Sequence, residues 1–194
     1  GIFFGEEYNL VFAADYVLGH KKGPLVTNLS SSRALADLAK MYDVPCYYAP
    51  VGEVHVVKEM KYRGAVLGGE GNGGIIDPQL HYGRDSLIGI ALILMHLATS
   101  GKTLSQLKSG YPQYVMVKDK VSFDPAQSAQ GILDKVAGHF IENNLDTRDG
   151  LKIDLPGAWV QLRKSNTEPI LRIYAEARSA EEARSLVDRV KSLI

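Results

Sequence analysis

The chain has 194 residues, 45% of them hydrophobic and 23% charged. That is enough apolar side chain for one large or two modest cores, and too much for a disordered segment. Twenty-two basic and 22 acidic residues cancel, with a pI of about 7.1, so no whole-molecule field draws the protein to DNA, RNA or a membrane, and any anion binding has to be local. The one cysteine, Cys46, excludes an internal disulfide framework and fits a reducing, cytoplasmic setting. Set in the apolar run Val44–Tyr48, it reads as a buried packing thiol. The longest apolar run, Leu87–Ala98, is interrupted by Gly89 and His96 and is too short to span a bilayer. Gly1–Gly5 lacks the basic start of a signal peptide and reads as a cut end.

In chain order, Leu10, Val11, Ala14, Val17 and Leu18 recur at helical spacing, with Glu6 and Glu7 before them and His20-Lys21-Lys22 after, as the helix dipole prefers. Pro24–Asn28 reads as a buried strand. Ser30-Ser31-Ser32 then offers caps for a helix carrying Leu35, Leu38, Ala39 and Tyr42. Val44–Ala49 is the next strand, and Val54, Val57 and Met60 form a helical stripe before a third strand at Ala65–Leu67. Strands alternating with helices imply an α/β domain, a mainly parallel sheet with flanking helices.

Directly after the third strand comes Gly68-Gly69-Glu70-Gly71-Asn72-Gly73-Gly74, a loop whose missing side chains let backbone approach a ligand, at the carboxyl end of a strand where open α/β sheets bind them. Asp85-Ser86 opens a long buried helix through Leu97, and Thr99-Ser100-Gly101 ends it. Thr103–Pro112, containing Ser109-Gly110, reads as a linker, which puts the two domains at residues 1–105 and 106–194.

Beyond the linker the pattern changes. Tyr114–Val121 is a strand, Asp124 caps a helix with Pro125 at its first position, and Leu151–Leu155, Trp159–Lys164 and Ile170–Ala177 follow as strands. Ser179–Glu182 caps a last helix whose apolar face is Ala183, Leu186, Val187 and Val190. Strand, helix, three strands, helix describes an α+β domain, an antiparallel sheet with helices on one face.

The loop between the last two strands, Arg163-Lys164-Ser165-Asn166-Thr167-Glu168-Pro169, brings together a guanidinium, two hydroxyls and an amide, with Arg172 just beyond. Such a loop can cup a phosphate, and the same Ser-Asn-Thr is also ordinary turn chemistry. His20, His96 and His139 read as packing or capping groups and Asp77 and Asp85 as turn and N-cap residues; Asp146–Gly150 is a hairpin turn, and Glu176 is placed to orient an arginine.

The string Arg163, Ser165-Asn166-Thr167-Glu168-Pro169 and Arg172 closely resembles the C-terminal phosphate-binding loop of the α-D-phosphohexomutases, and Gly68–Gly73 is similar to that family's sugar-recognition loop. The resemblance covers the whole chain and corresponds to the third and fourth of the family's four domains. It implies that Glu70, Gly71 and Asn72 contact sugar hydroxyls and that Arg163, Ser165, Asn166, Thr167 and Arg172 grip phosphate. Gly74 stands where many members have histidine, and Glu53, in Pro50-Val51-Gly52-Glu53, adds negative charge to a site for phosphosugars.

The resemblance further implies an isomerase that interconverts hexose 1- and 6-phosphates through a hexose 1,6-bisphosphate, with the phosphoserine in the first domain and Mg²⁺ held by the second. Neither motif occurs in this sequence, so the chain is expected to hold no catalytic or metal residue, to act with missing N-terminal domains, and to be inactive alone. A standalone, non-catalytic phosphosugar-binding module is the competing expectation. Nucleic acid and membrane are not expected as partners.

Overall fold

The computed structural model describes residues 4–124, 128–165 and 168–194, in two units, Gly1–Gln113 and Tyr114–Ile194. In the first, the order is α1 (Glu7–His20), β1 (Leu25–Asn28), α2 (Ala34–Met41), β2 (Cys46–Ala49), α3 (Glu53–Arg63), β3 (Leu67–Glu70), β4 (Gly74–Ile76), α4 (Ser86–Ser100) and α5 (Leu104–Ser109). The sheet runs β2-β1-β3-β4, parallel between β1 and both neighbours and antiparallel between β3 and β4. The expected α/β architecture is therefore present.

Neighbouring glycines of β3 show how the sheet is covered. A Cβ on Gly68 would strike Met60 of α3, and one on Gly69 would come within 3.0 Å of Leu10 of α1, so α3 and α1 lie on opposite faces. On the α3 side, Val26, Ala49, Val56, Met60, Ala65 and Ile76 form one core cluster. On the other, consecutive residues Leu10–Ala14 are all buried, because α1 packs against the sheet, α2 and α4 at once.

Several local expectations are corrected here. The buried stripe of α3 is Val56 and Met60, whereas Val54 is 72% exposed: burial follows the face turned to the sheet, which apolarity alone does not specify. The glycine-rich stretch is a strand hairpin, β3 and β4, with Gly71–Gly73 as its turn. Helix α4 buries only Gly89 and Leu92 and leaves Leu87, Ile90 and Leu94 open.

The expected linker contains α5, opened by a full capping box between Thr103 and Gln106 and followed by the buried Tyr111. Tyr111 donates to Asp15 Oδ2 (2.5 Å), as Tyr42 does to Asp15 Oδ1 (2.6 Å), and His96 Nε2 lies 2.9 Å from Oδ2. These contacts tie the segment to the first unit and place the division at Gln113/Tyr114 instead of after residue 105. Cys46 is half-buried rather than enclosed.

The second unit contains β5 (Val115–Ser122), α6 (Ala129–Gly138), β6 (Asn144–Asp146), β7 (Leu151–Leu155), β8 (Ala158–Lys164), β9 (Ile170–Ala177) and α7 (Ala180–Lys191). Its sheet is antiparallel throughout, ordered β5-β9-β8-β7-β6, and Ile153, Val160, Leu162, Leu171 and Ile173 form the core with Ile132, Leu133 and Val136 of α6 and Val187 and Val190 of α7. This is the expected α+β unit with one additional strand, β6. Ser128, not Asp124, caps α6 by accepting from Gly131 N; the expected first helical residue, Pro125, lies outside the described residues.

Candidate functional site

The three parallel strands of the first unit end together, and their ends meet at Glu70. At the close of β3, this side chain is 4% exposed. Its Oε1 accepts from Asn28 Nδ2, the last residue of β1, at 2.9 Å, and from Gly52 N, in the turn after β2, at 3.1 Å. A carboxyl group so enclosed needs such donors in place of the lost water. Asn28 is fixed in turn, its Oδ1 accepting from Ser30 N (3.0 Å) and Ser31 Oγ (2.9 Å), while Ser31 Oγ accepts from Gly71 N (2.9 Å). The hairpin turn is thereby tied to the β1–α2 loop. Asn72 is exposed, and its Oδ1 accepts from Gly74 N at 3.2 Å.

The acid that looked out of place has its own partner. Arg84, just before the Asp85 N-cap of α4, lies with Nε 2.7 Å from Glu53 Oε2 and Nη1 3.2 Å from Glu70 Oε2. Its guanidinium holds the Glu53 carboxyl below the usual carboxylate range, and Glu53 raises Arg84 in return. Asp85 is depressed as well, first by the Ile88 N–H and then by His81, whose Nε2 lies 3.2 Å away. Asp77 accepts from Gln79 N in its turn. Asp77 and Asp85 thus have the turn and cap roles expected of them.

In the second unit, register places Arg163 of β8 opposite Arg172 of β9, and Arg172 opposite Lys120 of β5. Leu162, Leu171 and Val121, each next in sequence, face the core, so the three cations share the sheet face away from the helices. Like charges directly opposite are unfavourable. Among the described residues, neither Arg172 nor Lys120 has a carboxylate partner, and with Lys118, Glu168, Ile170 and Tyr174 they line an open groove of about 460 Å³.

Arg163 is less open. Its Nε is 2.9 Å from Asp149 Oδ2, yet this buried nitrogen makes no aligned hydrogen bond; charge proximity holds the pair without satisfying the donor. Ser165 is buried and closes the neck of the loop by donating its N–H to Ile170 O at 2.9 Å. Asn166 and Thr167 lie outside the described residues. Glu176 accepts from Trp159 Nε1 at 2.8 Å in the buried part of the same face.

Residues 5–114 match the family model described as phosphoglucomutase/phosphomannomutase, alpha/beta/alpha domain III, and residues 114–193 match that of the C-terminal domain of the same family. The chain belongs to this family. It is 36% identical over 97% of its length to a phosphoglucomutase/phosphomannomutase of Thermococcus kodakarensis, covering 41% of that protein. It is 33% identical over 88% of its length to a phosphoglucosamine/phosphogalactosamine mutase of Sulfurisphaera tokodaii, covering 38%. The crystal structure of an Aspergillus fumigatus N-acetylphosphoglucosamine mutase in complex with GlcNAc-6P and magnesium superimposes with a TM-score of 0.65 at 18% identity, over 97% of this chain and 43% of that one. The chain thus spans about two fifths of its relatives.

Within this chain, sequence reasoning missed Asn28, Arg84, Lys120 and Asp149. Arg84 and Asp149 carried no motif of their own, and Lys120 gains meaning only through pairing with a strand 52 positions away in sequence. Among the described residues, no three His, Cys, Asp or Glu side chains are grouped to hold a metal ion. No helix among them is long and apolar enough to cross a membrane.

Proposed function

We propose that this chain is the substrate-recognition half of a phosphohexomutase that interconverts hexose 1- and 6-phosphates through a hexose 1,6-bisphosphate, with phosphoglucosamine, phosphomannose and phosphoglucose as the candidate substrates. Glu70, Gly71 and Asn72 contact sugar hydroxyls. Arg163, Ser165, Asn166, Thr167 and Arg172 bind the phosphate that is not reacting. The phosphoserine and the Mg²⁺ site belong to the N-terminal domains, and the setting is cytoplasmic.

What supports this reading is, in the first unit, the meeting of three strand ends on one fixed carboxylate and, in the second unit taken by itself, a loop next to Arg172 and Lys120, which have no carboxylate partner among the described residues. Reading a hydroxyl requires a rigid acceptor, because a mobile carboxylate would lose on ordering what the bond contributes. Gripping phosphate requires spare positive charge, and phosphoryl transfer depends on positioning and charge neutralisation.

The test is calorimetric titration of the chain with glucosamine 6-phosphate, mannose 6-phosphate, glucose 6-phosphate and inorganic phosphate. Arg163→Ala should weaken all four about 30-fold, the effect of losing a charged hydrogen-bond pair of about 2 kcal/mol. Glu70→Gln should weaken the sugar phosphates about tenfold and leave inorganic phosphate unchanged. Equal binding by Arg163→Ala and the parent would remove the loop from the site.

A further inference from the structure

Glu70 has one oxygen left to offer. Oε1 is occupied by Asn28 and Gly52, so any ligand hydroxyl must approach Oε2, and that oxygen lies beside Arg84 Nη1 at 3.2 Å. Arg84 is not there by chance of a flexible side chain. Glu53 holds its Nε at 2.7 Å and accepts from its backbone N at 3.3 Å, and its stem lies over the backbone of Gly74. A Cβ at that glycine would strike Arg84 Cδ and come within 3.0 Å of Cγ. The space normally taken by a side chain at residue 74 is filled by the arginine instead. At the same time the Arg84 side chain is 43% exposed, so solvent and ligand can reach it.

We infer that Arg84 is a second sugar-contacting residue: Glu70 Oε2 accepts from one hydroxyl of a hexose phosphate while the Arg84 guanidinium donates to the oxygen of the adjacent hydroxyl. This rests on the reading that Glu70 is a hydroxyl contact. The chemistry suits a sugar because each hydroxyl is both donor and acceptor. A carboxylate alone reads only the donor, and an acceptor paired with a donor a hydrogen bond's length away reads two neighbouring hydroxyls in one register. Glu53 acquires a purpose in the same arrangement. It fixes the arginine and is neutralised by it, so that no net negative charge is added to a site that must admit a phosphorylated sugar. Gly74 is required because any larger residue would displace the Arg84 stem.

The experiment is calorimetry on the 194-residue chain with glucose 6-phosphate and its 2-deoxy, 3-deoxy and 4-deoxy analogues, using the parent, Arg84→Met, Arg84→Lys and Gly74→Ala. Methionine keeps a stem over Gly74 and deletes the donors. In the parent, removal of the hydroxyl that Arg84 reads should weaken binding about tenfold, the worth of one charge-assisted hydrogen bond. In Arg84→Met the parent sugar should already be about tenfold weaker, and that same deoxy analogue should lose nothing further. Arg84→Lys should restore part of the discrimination, Gly74→Ala should behave like Arg84→Met, and inorganic phosphate should bind all four proteins alike.

If each deoxy analogue loses as much in Arg84→Met as in the parent, Arg84 makes no hydroxyl contact and the inference is overturned, whatever becomes of Glu70. A parent chain that binds glucose 6-phosphate no better than inorganic phosphate, with Glu70→Gln equally indifferent, overturns the proposed function and this inference with it. Loss of inorganic phosphate binding in Arg84→Met would likewise count against a sugar-specific role.

Discussion

Asp15 provides the most direct test of how the first unit is held together. Its carboxylate accepts from Tyr42 at 2.6 Å and Tyr111 at 2.5 Å, and His96 Nε2 stands 2.9 Å away, so one side chain on α1 joins the end of α2, the middle of α4 and the segment after α5. The Asp15 and His96 side chains are only 17% and 13% exposed, which leaves little water to replace the carboxylate. Each hydrogen bond to a charged group is worth about 1.5–3 kcal/mol. The three are not additive, because the hydroxyls can turn and Tyr111 also lies 3.2 Å from His96 Nε2. Asp15→Ala is therefore expected to destabilise the unit by about 3 kcal/mol, in the range for breaking a buried polar network.

For a unit of Gly1–Gln113 the unfolding entropy is about 0.24 kcal/mol/K, so the melting temperature should fall by about 12 °C. Alkaline titration supplies an independent readout. Burial first, and then the Asp15 hydrogen bond, raise both phenols above the ordinary tyrosine value. The folded protein therefore keeps protons that the unfolded chain releases above about pH 10. Their contribution to stability is complete below that pH and lost as pH climbs through the raised folded values. In Asp15→Ala this alkaline loss should be shallower, while burial preserves part of it. Urea unfolding by circular dichroism and tyrosine ionisation by ultraviolet absorbance measure the two effects. A stability change below about 0.5 kcal/mol would refute the view that Asp15 joins these elements.

Two further outcomes are expected in the second unit. Gly150→Ala should cost about 2–4 kcal/mol in urea unfolding, since Gly150 has φ +76° and a Cβ there would strike Leu162 O beside Arg163; a neutral substitution would show that this hairpin does not pack against β8. Asp119 is depressed chiefly by Lys191, with Arg184 contributing. Its stabilising effect should be present above about pH 4 and disappear as pH falls below it, so Asp119→Asn should remove at most about 1 kcal/mol at pH 7 and nothing near pH 2.

Periodicity alone established most of the elements. The alternation of β8 and β9 and the 3.6-residue repeats of α1, α2 and α7 are consequences of which side chains must leave water, and they can be read wherever one face is apolar and the other polar. The grouping of chemistry was legible where it was consecutive, as in Gly68–Gly74 and Arg163–Pro169. Errors arose where local composition was ambiguous: glycines that look like a loop pair as β3 and β4, and a Ser-Gly-Pro segment that looks like a linker carries a capped helix and the buried Tyr111. In each case a nonlocal partner, Ile76 for Gly68 or Asp15 for Tyr111, decides the outcome.

The sequence by itself thus determined the two architectures and the two polar loops, because hydrophobic spacing and turn chemistry act over a few residues. Only the tertiary structure decided that Asn28 and Gly52 secure Glu70, that Arg84 lies between Glu53 and Glu70 over Gly74, and that Lys120, Arg172 and Arg163 stand abreast. Those arrangements depend on strand order and register. Register is fixed by the burial of whole sheet faces, and no single stretch of chain contains it.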